Sequence, residues 1–101
     1  MVCMDVEYDD KKLERLFKDA KATAGFDPAI EKKFRKVVGL IRAAPDERAL
    51  AAFQGLRMEK LKGARTHQRS LRLNDQWRLI IEIRGEDPRK RIGVIGIEDY
   101  H

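Results

Sequence analysis

The chain of 101 residues contains a single cysteine, Cys3, which excludes an internal disulfide bond. It has neither paired cysteines nor the His-Glu-x-x-His spacing of zinc sites, and its two histidines lie far apart in the sequence. No run of about 18 apolar residues is present, and residues 1–10 are acidic, unlike the basic start of a signal peptide. These absences predict a cytoplasmic protein that uses no tightly held metal or cofactor.

Motifs for two common kinds of chemistry are also missing. The glycines form no phosphate-binding loop, and the only serine is not in the setting of a nucleophile elbow. RNA cleavage needs neither motif, because the 2′-hydroxyl of RNA can attack the adjacent phosphate. The protein then has only to accept a proton, donate a proton and stabilise negative charge on the phosphoryl oxygens.

Positive charge is concentrated in one segment of the chain. Residues 57–78 carry seven basic side chains against two acidic ones, a surplus equal to the net charge of +5 for the whole chain. The basic residues are Arg57, Lys60, Lys62, Arg65, Arg69, Arg72 and Arg78. Such a segment favours a polyanionic partner, although a merely solvated basic face has the same composition.

The first half of the chain has the apolar period of helices. Asp9 or Asp10 can cap a helix with the apolar stripe Leu13, Leu16, Phe17 and Ala20, which Gly25 is expected to terminate. Asp27-Pro28 opens a second helix that ends near Pro45. A short third helix over residues 46–53 is expected to turn Leu50 and Phe53 inward, and residues 6–8 are expected to form a short strand.

After Gly55 the apolar period changes to that of strands, over residues 69–73, 77–84 and 91–97. A three-residue loop, Asn74 to Gln76, pairs Leu71 with Leu79 and gathers the large apolar side chains except Ile80 on one face. The same register sets Arg72 opposite Arg78, where two guanidinium groups suit a phosphate unless a carboxylate neutralises them. The order predicts one α+β domain over residues 1–101, with an N-terminal strand and two or three helices packed on a small antiparallel sheet.

Further candidates for chemistry lie at the end of the chain and within the basic segment. Asp99, Tyr100 and His101 follow a strand too apolar to fray, so they are candidates for proton transfer and for stacking on a base. Glu59 is an acid among basic residues, which favours its ionised form. A frayed tail and a surface salt bridge are the corresponding structural interpretations.

Three stretches together resemble the HigB toxins of bacterial toxin–antitoxin pairs, within the RelE/ParE superfamily. They are Met-Glu-Lys-Leu-Lys-Gly at 58–63, Arg-Leu-Asn-Asp-Gln-Trp-Arg at 72–78 and Glu-Asp-Tyr-His at 98–101. The resemblance covers essentially the whole chain and implies a RelE-like fold. It also implies a ribosome-dependent endoribonuclease that cleaves mRNA in the A site, leaving a 2′,3′-cyclic phosphate and a 5′-hydroxyl.

The resemblance assigns roles to individual residues and to partners. Lys62 would hold RNA, Arg78 would stabilise the transition state with help from Arg72, and residues 99–101 would transfer protons and stack on a base. Lys60, Arg65 and Arg69 complete the set expected to contact RNA phosphates. The implied partners are the ribosome with its mRNA and a HigA-like helix-turn-helix antitoxin.

The chain departs from the family pattern at one position. Family members often have a histidine where this chain has Glu59, so the sequence leaves open whether Glu59 or His101 acts as the base. Two other functions also stay open, inhibition of DNA gyrase as in the ParE branch and nucleic-acid binding without chemistry.

Overall fold

The computed structural model describes residues 4–65, 67–86 and 90–99, which fold into three α-helices and a five-stranded sheet. The helices are α1 (Lys11–Lys18), α2 (Pro28–Ala43) and α3 (Glu47–Ala51). The strands are β1 (Asp5–Tyr8), β2 (Glu59–Lys60), β3 (Gln68–Arg72), β4 (Trp77–Arg84) and β5 (Arg91–Asp99). None of the helices in these ranges combines the length and the apolar composition needed to cross a membrane.

The strand order across the sheet is β1-β5-β4-β3-β2. Four strands are antiparallel neighbours, whereas β1 pairs with β5 in parallel. The predicted α+β class is confirmed, and the expected antiparallel sheet gains a parallel edge strand. A parallel pair needs a long crossover connection, which the helices and the other strands provide here.

The three helices begin where the sequence predicts. The carboxylates of Asp10, Asp27 and Asp46 each accept a hydrogen bond of 2.9 Å from the backbone N–H two residues further on. The predicted end of α1 is wrong, because the helix stops at Lys18 with Asp19 as its C-terminal cap. Gly25, at φ +87°, instead belongs to the loop that leads into α2, and Ala20 is exposed in that loop.

The hydrophobic core lies between the helices and one face of the sheet. Its fully buried side chains include Leu16, Phe34, Ile41, Leu50, Leu79 and Val94. The predicted inward position of Leu50 is confirmed, whereas that of Phe53 is wrong, since Phe53 is 47% exposed. The reason is the length of α3, which ends at Ala51 and leaves Phe53 to start a separate 3₁₀ turn at Gln54–Leu56.

The predicted register of the β3–β4 hairpin is confirmed. Leu71 pairs with Leu79 and Arg72 with Arg78, and the Leu73 N–H donates to the Trp77 carbonyl at 3.0 Å. The loop therefore has three residues, as the gathering of apolar side chains on one face required. This hairpin fixes which side chains face away from the helices.

Candidate functional site

One face of the sheet is covered by the helices, and the other, here called the open face, carries polar groups. Because side chains alternate along a strand, the buried Leu79 and Ile81 place their neighbours Arg78, Ile80 and Glu82 on the open face. On β3 the alternation places Ser70 and Arg72 there too. The open face of the two central hairpin strands thus combines basic and small polar side chains.

A bulge in β5 decides which carboxylate joins this face. Ile80 pairs with Gly96 but Ile81 pairs with Val94, so β5 contains one extra residue, Ile95. The extra residue reverses the alternation of the remaining part of the strand. Glu98 is consequently paired with Arg78, on the open face.

A small pocket of about 180 Å³ lies on the open face beside Arg78. It is lined by Leu61, Arg65, Ser70, Arg78, Ile80, Glu98 and Asp99. Pockets for whole drug-sized ligands usually measure roughly 300–1,000 Å³. The volume therefore suits a single small group, such as one phosphate of a larger substrate.

Arg78 is the buried cation of this pocket, with only 7% of its surface exposed. Its Nη1 donates to the backbone carbonyl of Asn74 at 3.1 Å. The Asn74 side chain in turn accepts from the backbone N–H groups of Gln76 and Trp77 at 2.8 and 2.7 Å. The hairpin loop is thus fixed by Asn74, and the loop helps to hold the guanidinium in place.

Arg65 and Glu98 form an ion pair that lines the same pocket. Two nitrogens of Arg65 contact the two carboxylate oxygens of Glu98 at 2.8 and 3.3 Å, and Arg65 Nε donates to Gln68 Oε1 at 2.8 Å. Both side chains of the ion pair are about half exposed. Asp99 also lines the pocket, and its Oδ2 accepts from Gln76 Nε2 at 3.1 Å.

The predicted phosphate site between Arg72 and Arg78 has a carboxylate beside it. Arg72 pairs with Asp75 of the hairpin loop, whose side chain is almost fully exposed. The hydrogen bond and the charge of Arg72 lower the pKa of the Asp75 carboxyl below its usual range. An incoming phosphate would therefore compete with Asp75 for Arg72.

The remaining predicted residues are divided between the two sides of the small strand β2. Glu59 pairs with Ser70, which places it in the cross-strand row that reaches the pocket, whereas Lys60 pairs with Arg69 at the alternate position. Arg69 Nη1 donates to the Gln68 carbonyl at 3.0 Å. Glu59, Lys60 and Lys62 are all exposed.

The pocket brings together three of the predicted site residues, Arg65, Arg78 and Asp99. Tyr100 and His101 lie outside the described residues, so their roles stay predictions. Ser70 and Glu98 line the pocket but were not among the predicted site residues. The sequence does not predict Glu98 because the bulge that turns it to the open face lies within a continuously apolar strand. No local pattern in the sequence predicts that Ser70 is buried.

Within residues 4–65, 67–86 and 90–99, no group of three or more His, Cys, Asp or Glu side chains could hold a metal ion. The charged groups that line the pocket are two guanidinium groups and two carboxylates. Such a lining suits acid–base chemistry at an anionic substrate.

Solved structures share this fold across nearly the whole chain. A YoeB/ParE toxin from Agrobacterium tumefaciens superposes with a TM-score of 0.61 at 15% identity, covering 97% of this chain and 100% of that one. The YoeB-YefM complex from Staphylococcus aureus gives 0.59 at 20% identity, with 97% of each chain covered. The E. coli DinJ-YafQ toxin-antitoxin complex gives 0.60 at 14% identity, covering 97% of this chain and 93% of that one.

No curated protein matches the sequence. The model of one protein family does match, over residues 6–89, and its description is the RelE-like toxin of the type II toxin–antitoxin system HigB. The match covers the three helices, strands β2 to β4, all of β1 except Asp5 and the basic segment 57–78, whereas β5 lies outside it. The chain therefore belongs to the HigB-like family of RelE-like toxins of type II toxin–antitoxin systems.

Proposed function

We propose that this toxin is a cytoplasmic endoribonuclease that cleaves mRNA in the ribosomal A site. The observation that carries the proposal is the buried Arg78 in a pocket that also contains Arg65 and two carboxylates. A fixed guanidinium in a partly desolvated site stabilises charge that develops on phosphoryl oxygens. This is the main requirement for cleaving RNA through its own 2′-hydroxyl.

The proposed reaction is a transesterification that needs no metal. A base, Glu59 or His101, takes the proton from the 2′-hydroxyl while the 2′-oxygen forms a bond to phosphorus. The bond between phosphorus and the 5′-oxygen breaks, and Asp99, Tyr100 or His101 gives a proton to that leaving oxygen. The products are a 2′,3′-cyclic phosphate and a 5′-hydroxyl.

The geometry also supports a role for the ribosome. A pocket of about 180 Å³ has room for one phosphate but is too small to bind several nucleotides of mRNA by itself. The exposed Lys62 and the half-buried Arg72 add phosphate contacts around it, and Lys60 and Arg69 extend the basic surface on the other side of β2 and β3. We infer that the ribosome presents the mRNA in the reactive conformation, which supplies the positioning that a small open site lacks.

An antitoxin partner is part of the same proposal. The YoeB-YefM and DinJ-YafQ complexes each contain a chain with this fold, and DinJ-YafQ is a toxin-antitoxin complex. We propose that a HigA-like helix-turn-helix antitoxin neutralises this chain, and that residues 1–101 act as a single toxin domain.

The decisive experiment maps mRNA 5′ ends after adding the purified protein, with and without translating ribosomes. Cuts in phase with codons, seen only with ribosomes and abolished by a 2′-deoxy nucleotide at the cleaved position, are the expected result. Cuts that survive the 2′-deoxy substitution would exclude attack by the 2′-hydroxyl. No cuts in either sample, from a folded protein, would favour gyrase inhibition or binding without chemistry.

A further inference from the structure

Ser70 lies in the pocket, and its hydroxyl group forms no hydrogen bond to any residue that the structure describes. Only 2% of the residue is exposed, and its Oγ has no hydrogen-bond partner in the part of the chain that the structure describes. Buried polar groups are almost always hydrogen-bonded, because an unsatisfied one loses its contact with water without compensation. An exception inside a candidate active site indicates a group that is satisfied by a ligand.

The surroundings of Ser70 give no structural reason for a hydroxyl. Its cross-strand neighbour on β4 is Ile80, only 3% exposed, and Leu61 lines the same pocket. Glu59 lies opposite Ser70 on β2, but the Ser70 hydroxyl forms no hydrogen bond to it. Alanine would therefore occupy the site at no cost in hydrogen bonding. The serine is thus a poor choice for packing and a suitable one for binding.

Ser70 and Arg78 are neighbours on the open face. Ser70 is opposite Ile80, and Arg78 is two residues before Ile80, so the two are a diagonal cross-strand pair. Diagonal pairs are separated by roughly 7–8 Å, a distance that an arginine side chain can span. A single tetrahedral anion between them could accept hydrogen bonds from both.

The charge of the pocket indicates which anion fits. The guanidinium groups of Arg65 and Arg78 are balanced by the carboxylates of Glu98 and Asp99. A lining without net formal charge accepts a monoanion more readily than a dianion. A phosphodiester carries one negative charge, whereas a phosphate monoester carries close to two at neutral pH.

We propose that Ser70 and Arg78 form a binding site for one phosphodiester, in which the Ser70 hydroxyl donates a hydrogen bond to a non-bridging phosphoryl oxygen. The proposal rests on the proposed function, because the diester is the scissile one of the mRNA. It makes Ser70 a catalytic residue whose hydrogen bond strengthens as negative charge grows on the phosphoryl oxygen.

The first test compares single-turnover mRNA cleavage on programmed ribosomes for the wild type, Ser70→Ala and the control Thr23→Ala. Thr23 is distant in sequence from the residues that line the pocket, the first of which is Leu61. Its hydroxyl donates to Glu31 at 2.9 Å. We expect Ser70→Ala to lower the cleavage rate constant about tenfold to hundredfold, with an unchanged or higher melting temperature. Thr23→Ala should do the opposite, lowering the melting temperature and leaving the rate unchanged.

Two results would overturn the proposal. One is a wild-type cleavage rate in Ser70→Ala, which would mean that the hydroxyl makes no contact with the substrate. The other is a rate that falls only in parallel with the folded fraction, which would make Ser70 structural. The ribosome affinity of Ser70→Ala should stay within about threefold of wild type, because the lost contact belongs mainly to the transition state.

A second measurement tests the binding site even if the wild type cuts no mRNA. The wild type and Ser70→Ala are titrated with a 2′-deoxy dinucleotide, which carries one uncleavable phosphodiester, while NMR follows the Ser70 and Arg78 backbone amides. Saturable shifts at both positions in the wild type, with binding by Ser70→Ala weakened by up to about threefold, would support the site. No shift at either position would exclude it, whereas absent cleavage alone would count against the proposed function.

Discussion

Arg78 and Arg84 lie on the same face of the same strand but occupy different environments. Arg78 is buried beside the pocket, whereas Arg84 contacts three carboxylates, those of Glu7 at 3.0 Å, Asp9 at 2.7 Å and Glu82 at 2.8 Å. These partners raise the pKa of Arg84, chiefly through the hydrogen bonds that Arg84 donates to Asp9 and Glu82. Arg84 therefore connects β1 to β4, whereas Arg78 is the residue that binds the phosphate in the proposed function.

This contrast predicts the effect of removing each side chain. Arg78→Ala should lower the rate of mRNA cleavage on the order of 10²-fold, since it removes the main charge that stabilises the phosphoryl oxygens. Arg84→Ala should leave the rate within about threefold of wild type and lower the melting temperature. The measurement is single-turnover cleavage at a temperature where both variants are folded. Equal losses of rate would contradict the separate roles of the two arginines.

At the level of the strand, the two glycines of β5, Gly93 and Gly96, differ in whether a side chain would fit at their position. A Cβ on Gly93 would overlap Cζ of Arg84, so the guanidinium occupies the space of a side chain. A Cβ on Gly96 would have no neighbour within 4 Å. Gly93 makes room for the Arg84 cluster, and Gly96 lies beside the bulge that turns Glu98 to the open face.

We expect Gly93→Ala to lower the free energy of unfolding by about 1 kcal/mol, because Arg84 must leave its partially exposed carboxylate partners. Gly96→Ala is the matched control in the same strand and should cost less. Urea unfolding of both variants checks this. In the Arg84→Ala background, where the guanidinium is already gone, Gly93→Ala should lose most of its effect; a full effect in that background would disprove the steric explanation.

Across the whole molecule, Glu31 connects the helical layer with the sheet. From the first turn of α2, its Oε2 accepts from Thr23 Oγ1 at 2.9 Å and from the N–H groups of Ala24 and Phe26 at 2.7 and 3.3 Å. The Phe26 ring packs edge-on against Trp77, with centroids 5.6 Å apart. Trp77 begins β4, so this loop packs against the start of that strand.

The Glu31 contacts predict how stability depends on pH. The N–H of Ala24, with smaller contributions from Thr23 and Phe26, lowers the pKa of Glu31 in the folded state. Its stabilising effect is therefore complete above the unfolded value of about 4.3 and is lost as the pH falls through the lower folded value.

Glu31→Gln should lower the free energy of unfolding by about 2 kcal/mol at pH 7. The difference from wild type should shrink as the pH is lowered below about 4. Urea unfolding between pH 7 and pH 3 measures this, with exposed Glu86→Gln as the control. A difference that stays constant down to pH 3 would exclude the ionised form of Glu31 as the source of the stability.

Local features of the chain were predictable from the sequence because they depend on neighbouring residues. Asp27-Pro28 marks the start of α2, since a cap and a proline act on the first turn alone. The alternation from Trp77 to Ile83 predicts β4 and its buried face, and the matching of Leu71 with Leu79 selects the hairpin register. The basic segment and the pairing of Arg72 with Arg78 follow from the same local pattern.

Other features depended on how distant segments fit together, and only the tertiary structure decided them. The parallel pairing of β1 with β5 and the ion pair between Arg65 and Glu98 each join residues more than ten positions apart in the sequence. The bulge at Ile95 changes the register of β5 by one residue. The burial of Ser70 depends on its neighbours across two strands. Propensity and periodicity determine the faces of each element. A one-residue shift in β5 then places Glu98 rather than Ile97 opposite Arg78, because a strand's side chains alternate with a period of two.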